Sequence, residues 1–269
     1  MTSSEIQALL RADNLDGAIA NLNAEVKGNP KSIEHRLRLA ELLCVAGNLD
    51  RADAVLDVVT NIDPGAMVGV ALFRQLIRAE QARQQFYSEG RLPEFVTKPD
   101  AQLELELRAC VCWREGAVTE MAKLLSEREE ARIPLAGVAD GAPFDDFRDL
   151  DDLCAAHLDV YSSTGKYFWI PTSSIASIEL RKVETQRDLL WRRALVSVAD
   201  GPDGEVFLPS IYVSREMTVA HRLGHVTDFI EVADRTVLGN GLRTFFVGEH
   251  SRTILQLGKL SFSAHAGSG

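Results

Sequence analysis

The sequence predicts an α+β protein: helical hairpins over residues 1–140, a smaller β-rich α+β domain over 141–262, and a disordered tail over 263–269. Three observations predict this. The chain matches itself at an offset of 34 residues near its start, and helical periodicity continues to about Ala131. Beyond a turn-rich stretch from Ile133 to Pro143 the texture changes to short β-branched and aromatic runs, which places the boundary within 135–145.

The repeat pairs residues 12–30 with 46–64 without a gap, identical at eight of nineteen positions. Thirty-four residues is the period of the tetratricopeptide hairpin, and the physics of that unit explains which positions match. Gly47 falls where a tight turn between antiparallel helices must escape a Cβ. Ala18 and Ala52 let the two helices approach, and Leu22 and Leu56, four residues on, share their face. Pro30 and Pro64 end the second helix of each pair. The stretch before the repeat, from Met1, reads as a helix. A third, degenerate hairpin spans Leu103–Ala131, turning at Trp113–Gly116. These are tetratricopeptide-like helical hairpins.

Between the second and third hairpins, Ala66–Ser88 reads as one long helix with a core stripe at Val68, Leu72, Leu76 and Ala79 and a polar stripe at Arg74, Arg78 and Gln81. Gly90, Pro93 and Pro99 break it. In the second half a helix is expected over Asp146–His157. Strands are expected at Tyr167–Ile170, Ile175–Arg181, Trp191–Ala199, Glu205–Tyr212 and Thr244–Val247. Asp200–Gly204 reads as a hairpin loop whose glycines can supply positive φ.

Composition narrows the function. The 269 residues carry a formal net charge of −10, of which 1–140 hold −6 (16 basic, 22 acidic) and 141–269 hold −4 (13 basic, 17 acidic). No basic run exceeds two adjacent residues, so neither half reads as a nucleic-acid domain or an anionic-lipid binder. No apolar stretch approaches the roughly 20 residues a membrane span needs, and the start lacks the basic and apolar regions of a secretory signal. Cys44, Cys110, Cys112 and Cys154 sit in helical-looking, apolar surroundings, which favours reduced thiols and a cytoplasmic setting.

Motifs that might carry chemistry have bland readings beside them. Cys110 and Cys112 would point about 200° apart on a helix and cannot share a metal. His221 and His225 have zinc-ligand spacing, but Gly224 interrupts their helix. Asp140, Asp145, Asp146, Asp149, Asp151 and Asp152 lack the ligand alternation of a calcium loop and read as a helix start. No serine elbow, phosphate loop or dinucleotide loop is present, so neither a cofactor nor a metal is expected. An enzyme with a site at the domain junction, drawing on Asp149, Asp152, Arg222 and Asp228, and a structural subunit of a larger assembly remain as alternatives.

The chain resembles the ImpE family, also called TagJ or SciE-type, accessory proteins of bacterial type VI secretion. The likeness rests on Glu41–Gly47, Arg74–Arg83 and Pro93–Phe95 in the first half. In the second it rests on Phe147–Asp152, Trp169–Pro171, Arg187–Arg192, Glu205–Pro209 with Tyr212, and Arg222–Gly224 with Thr227 and Asp228. Leu153, Arg193 and Phe229 depart from the family pattern. The resemblance implies a non-enzymatic cytoplasmic adaptor that binds the amphipathic N-terminal helix of the small contractile-sheath subunit, TssB or VipA. It also implies a functional link to the ClpV ATPase and a role in sheath assembly or recycling.

In a hairpin array the first helices line the inner surface, which nominates Arg36, Leu39, Glu41 and Leu43 for partner binding. On the long helix, Phe73 and Ile77 lie i,i+4 outside the expected core stripe and are flanked by Arg74 and Arg78, a pattern suited to an amphipathic ligand with acidic edges.

Overall fold

The computed structural model describes residues 3–233 and 235–263. Helices α1 (Ser3–Arg11), α2 (Leu15–Gly28), α3 (Ile33–Val45), α4 (Leu49–Ile62) and α5 (Met67–Glu89) precede a two-residue strand β1 (Glu94–Phe95) and the hairpin α6 (Ala101–Glu115) and α7 (Val118–Glu130). The three hairpin turns share one backbone device. Asp13, Gly47 and Gly116 take left-handed φ of 54°, 77° and 76°, and Asn14, Asn48 and Ala117 follow at φ −96°, −91° and −81° with ψ 67°, 66° and 63°. Asp13 is one of the few non-glycine types that visits this region readily, so the turn geometry repeats where the sequence does not. Ala18, Leu22, Ala52 and Leu56 are all fully buried, as the repeat spacing requires.

Helix α5 departs from the expected stripe. Val68 is 83% exposed, and the buried face is Val70, Phe73, Leu76, Ile77, Ala79, Ala82, Arg83, Phe86 and Tyr87. The face is broader than one stripe because α5 packs on the preceding hairpin along one side and on strands along the other.

The strands β2 (Gly137–Ala139), β3 (Ala142–Phe144), β4 (Phe147–Asp149), β5 (His157–Tyr161), β6 (Tyr167–Pro171), β7 (Ile175–Leu180), β8 (Trp191–Val198) and β9 (Asp203–Pro209) come next, with a short α8 (Arg187–Leu190) before β8. After α9 (Val219–Arg222) follow β10 (Thr227–Ala233), β11 (Thr236–Gly241), β12 (Thr244–Val247), β13 (His250–Thr253) and β14 (Lys259–Phe262). A nine-stranded sheet runs β1-β6-β5-β9-β8-β7-β14-β2-β3, beside a β13-β12-β4 sheet and a β10-β11 ribbon. The helical half therefore supplies an edge strand, β1, which pairs parallel to β6 with Phe95 opposite Trp169.

The helix expected over Asp146–His157 does not form. That segment is β4, a 3-10 turn at Asp152–Cys154 capped by Asp151, and β5, because Asp146 and Asp149 are taken by Arg132 and Arg243 and not by the start of a long helix. In the β8–β9 loop the left-handed residue is Asp200 (φ 54°) and not a glycine. Gly201 serves close approach instead, since a Cβ there would lie 2.8 Å from the Val198 side chain. The expected disordered tail lies outside the described residues except for Ser263, whose amide donates to Ala136 O.

One core joins the two halves. The α5-facing residues of β5, β6, β8 and β9, namely Tyr161, Tyr167, Trp169, Trp191 and Phe207, belong to the same apolar cluster as the helical repeats. Phe73 meets Trp191 edge-on at 5.9 Å and Phe86 meets Trp169 at 4.8 Å. The opposite face of the sheet, through Leu158, Val160, Ile170, Val196 and Leu208, builds a second core. A fragment of residues 1–135 would expose the Phe73–Tyr87 face to water, so it should aggregate or melt without cooperativity. Soluble expression with a sigmoidal thermal transition would contradict the shared core.

Candidate functional site

Strand β5 carries His157, Asp159 and Tyr161 on the side facing the helices, and all five of its residues are buried. A charge this deep needs partners, and Asp159 has four. Its Oδ1 accepts from Tyr167 Oη at 2.6 Å and from His157 Nε2 at 3.2 Å. Its Oδ2 accepts from Arg243 Nη1 at 3.0 Å, and Arg83 Nη2 of α5 lies 3.4 Å away. His157 Nδ1 meets Glu106 of α6, which also accepts from Arg128 of α7 at 2.6 Å and from Ala156 N at 2.8 Å. Arg243, between β11 and β12, also donates twice to Asp149 Oδ2 at the end of β4.

Burial alone would raise the Asp159 carboxyl, but Arg83 and His157 outweigh it and hold the group far below the usual range. Burial would likewise lower His157, yet the Glu106 and Asp159 carboxylates outweigh it and raise the ring above its ordinary value. Asp151 is pushed up to about 8, first by burial and then by the Asp149 carboxylate beside it, although it accepts the Gly239 and Leu153 amides. Burial pushes the Cys44, Cys110 and Cys154 thiols well up, so they are poor nucleophiles.

Cys154, His157 and Asp159 are the one metal-sized cluster among the described residues. The His157 and Asp159 ligand atoms are already bonded, and the Arg83 and Arg243 guanidiniums beside them oppose a cation. His221 and His225 do not converge either: His221 pairs with Asp228 at 2.9 Å and His225 with Asp13 at 2.8 Å. The four residues of the junction-enzyme alternative fall into separate sets. Asp149 binds Arg243, Asp152 binds Arg148, Asp228 binds His221, and Arg222 faces a cleft.

The expected docking face is not a free surface. Leu39, Leu43, Phe73 and Ile77 are each 2% exposed or less, with Phe73 lying under Trp191 and Arg187. Arg74 clamps α5 to α4 through Asp53 (2.7 and 2.9 Å) and Asp57 (2.7 Å). Arg36 donates to Pro30 O within the α2–α3 connection. Arg78 is exposed and bonds Gln75. Helical periodicity reports that a face is apolar but not what covers it: neighbouring helices flank α3, and Trp191 of β8 lies against Phe73.

The accessible concavity lies nearby. A cleft of about 710 Å3 opens where the end of α3 (Cys44–Gly47), Glu80, Arg83 and Tyr87 of α5, and the end of α6 (Trp113, Arg114) face the segment Ile211–Arg215 and Arg222 of α9. The buried network sets its wall. Arg83 Nη1 donates to Ile211 O at 3.2 Å, and Tyr212 Oη donates to Asp149 at 2.6 Å and Thr244 O at 2.9 Å. Trp113–Gly116 and Arg222 are visible in the sequence as a turn and a motif. Segment 211–217 carries no periodicity that marks it.

Two variants test the network. Asp159→Asn keeps the shape but takes the ion-pair partner from Arg83 and one of the two carboxylates from each of Arg243 and His157, so it should lose about 3–5 kcal/mol in urea unfolding with the slope unchanged; a loss under about 1 kcal/mol would contradict the pairing. Asp151 holds a proton when folded that the unfolded chain, with its carboxyl near 3.8, releases. The stability it contributes is complete below about pH 4 and lost as pH rises through 8. The melting-temperature difference between wild type and Asp151→Asn should therefore shift against the wild type from pH 5 to 9, and a constant difference would refute the raised carboxyl.

A family model described as ImpE protein matches residues 141–261, and a tetratricopeptide repeat model matches residues 9–72. The type VI secretion system accessory component TagJ of Pseudomonas aeruginosa is 28% identical over 261 residues, spanning 95% of this chain and 90% of that protein. A crystal structure of a Vibrio parahaemolyticus protein superposes with a TM-score of 0.90 at 27% identity, covering 97% of this chain and 98% of that one. The ImpE model thus accounts for the strand-rich half and the tetratricopeptide model for the first hairpins, and the chain is similar to TagJ along nearly its whole length.

Proposed function

We propose that this chain is an accessory protein of type VI secretion that works by binding a protein, not by catalysis. It takes the amphipathic N-terminal helix of the small contractile-sheath subunit, TssB or VipA, and acts in the cytoplasm during sheath assembly or recycling alongside the ClpV ATPase. The observation that carries the reading is the end-to-end likeness to TagJ of Pseudomonas aeruginosa, which includes both the hairpin array and the strand-rich half. Helical hairpin arrays commonly receive a peptide or a helix. No described helix is long and apolar enough to cross a membrane.

Calorimetric titration of the purified small sheath subunit into this protein, in parallel with a subunit lacking its N-terminal helix, tests the proposal. Saturable binding that disappears with the helix is expected. Equal binding of the truncated subunit, or none by either, would refute it.

A further inference from the structure

The backbone leaves the strand-rich half after Tyr212 and rejoins it at Thr227, and both points are fastened to the same place. Tyr212 N donates to Gly241 O at 2.9 Å. Thr227 pairs with Gly241 across the β10–β11 ribbon, and its hydroxyl accepts from Leu242 N at 3.1 Å and donates to Leu242 O at 3.2 Å. The closure is tight, since Gly241 takes φ 102° and a Cβ there would lie 2.1 Å from Val226 O. Residues 213–226 are therefore an Ω-loop, fourteen residues long with ends that meet. Its regular structure is the four-residue α9, capped by Thr218 and His221, which is too short to persist by itself.

From that base the loop reaches across to the helical half and meets each hairpin turn. His225 Nδ1 lies 2.8 Å from Asp13 Oδ1 in the α1–α2 turn. Arg222 lies over the α3–α4 turn, where a Cβ on Gly47 would come within 3.2 Å of its Nη1. Arg215 donates to Trp113 O and, at 3.4 Å, to Arg114 O where α6 runs into its turn, with the guanidinium 4.4 Å from the Trp113 ring.

These holds differ in kind from those under the sheet. His225 and Asp13 are 42% and 44% exposed, Arg215 is exposed, and Arg222 forms no ion pair among the described residues. Exposed pairs of this sort contribute little, because water competes for both partners. Val213, Val219 and Leu223 are only partly buried against the helical core. The strand-rich half adds Asn240 Nδ2 to Glu216 O at 2.7 Å and His221 Nε2 to Asp228 at 2.9 Å. The loop supplies no strand to the sheet and no member of the Asp159 network, so it can detach without dismantling either.

We infer that residues 213–226 form a lid, latched on the three hairpin turns, that opens about the Tyr212–Thr227 base while the rest of the fold stays closed. Segments with few buried contacts between firm anchors are where proteins open first. The lid is one wall of the junction cleft, so its opening widens that cleft without unfolding either half.

Native-state hydrogen exchange of the full-length protein tests this at the amides of Arg222, Leu223, Gly224 and His225, which are hydrogen-bonded within the loop. In the wild type these amides should exchange far faster than those of β5, at a rate that urea below the unfolding transition leaves unchanged. Arg215→Ala combined with His225→Ala should speed exchange at Arg222, Leu223 and Gly224 by about fivefold or more and leave β5 as it was. Both side chains are exposed, and β5 protection in the same sample reports that the fold has survived. Loop amides that exchange only in step with β5 as urea rises would overturn the lid. A double variant with β5 still protected and loop exchange equal to wild type would overturn the latch that defines it.

Discussion

Arg83 comes from the long helix, Arg243 from the connection between β11 and β12, and both converge on Asp159 in a strand that neither adjoins in sequence. Each of these charges is fully buried, so removing Asp159 leaves Arg83 without its ion-pair partner and Arg243 with Asp149 alone, in a medium that cannot solvate them. The constraint propagates. Glu106 and Arg128 extend it into the last helical hairpin through His157, and Asp149 extends it into the small β4–β12–β13 sheet. Packing alone would let helices and sheet slide against one another, because apolar contact is not directional. A carboxylate set between two guanidiniums, hydrogen-bonded to Arg243 at 3.0 Å and ion-paired with Arg83 at 3.4 Å, fixes that register.

The cleft inherits that register. Its outer wall, Ile211–Tyr212, has no regular structure of its own and is held by Arg83 on one side and Asp149 on the other. The helical wall is built from turn ends, at Gly47 and at Trp113–Arg114, which the hairpin repeat positions independently. A depression formed by hairpin turns on one side and a pinned loop on the other is shaped by the same contacts that join the two halves.

Much of the architecture was legible in the residues. The 34-residue offset located the first two hairpins, and Gly116, which takes the same left-handed φ as Gly47, marked the third. The strands at Tyr167, Ile175, Trp191 and Thr244 stood out because one of their faces is continuously apolar and β-branched. Strand β5 was hidden, since His157 and Asp159 read as surface residues until the arginines that bury them are placed alongside. Asp146 and Asp149 misled for the same reason: an acid at a helix start and an acid awaiting a distant guanidinium are identical in sequence.

The sequence by itself determined what depends on near neighbours along the chain: helical period, turn chemistry at residues 13, 47 and 116, strand alternation and the absence of a basic or membrane-spanning stretch. Tertiary structure alone decided which apolar faces were covered and which charges were answered. Phe73 and Ile77 have the spacing of an exposed docking edge, yet Trp191, 118 and 114 residues away, lies in the same core. Arg222 belongs to a motif the sequence shows, yet only the fold sets it beside Gly47, with no ion pair among the described residues. Burial and electrostatic pairing are set by distances in space, and between residues this far apart the sequence carries no record of those distances.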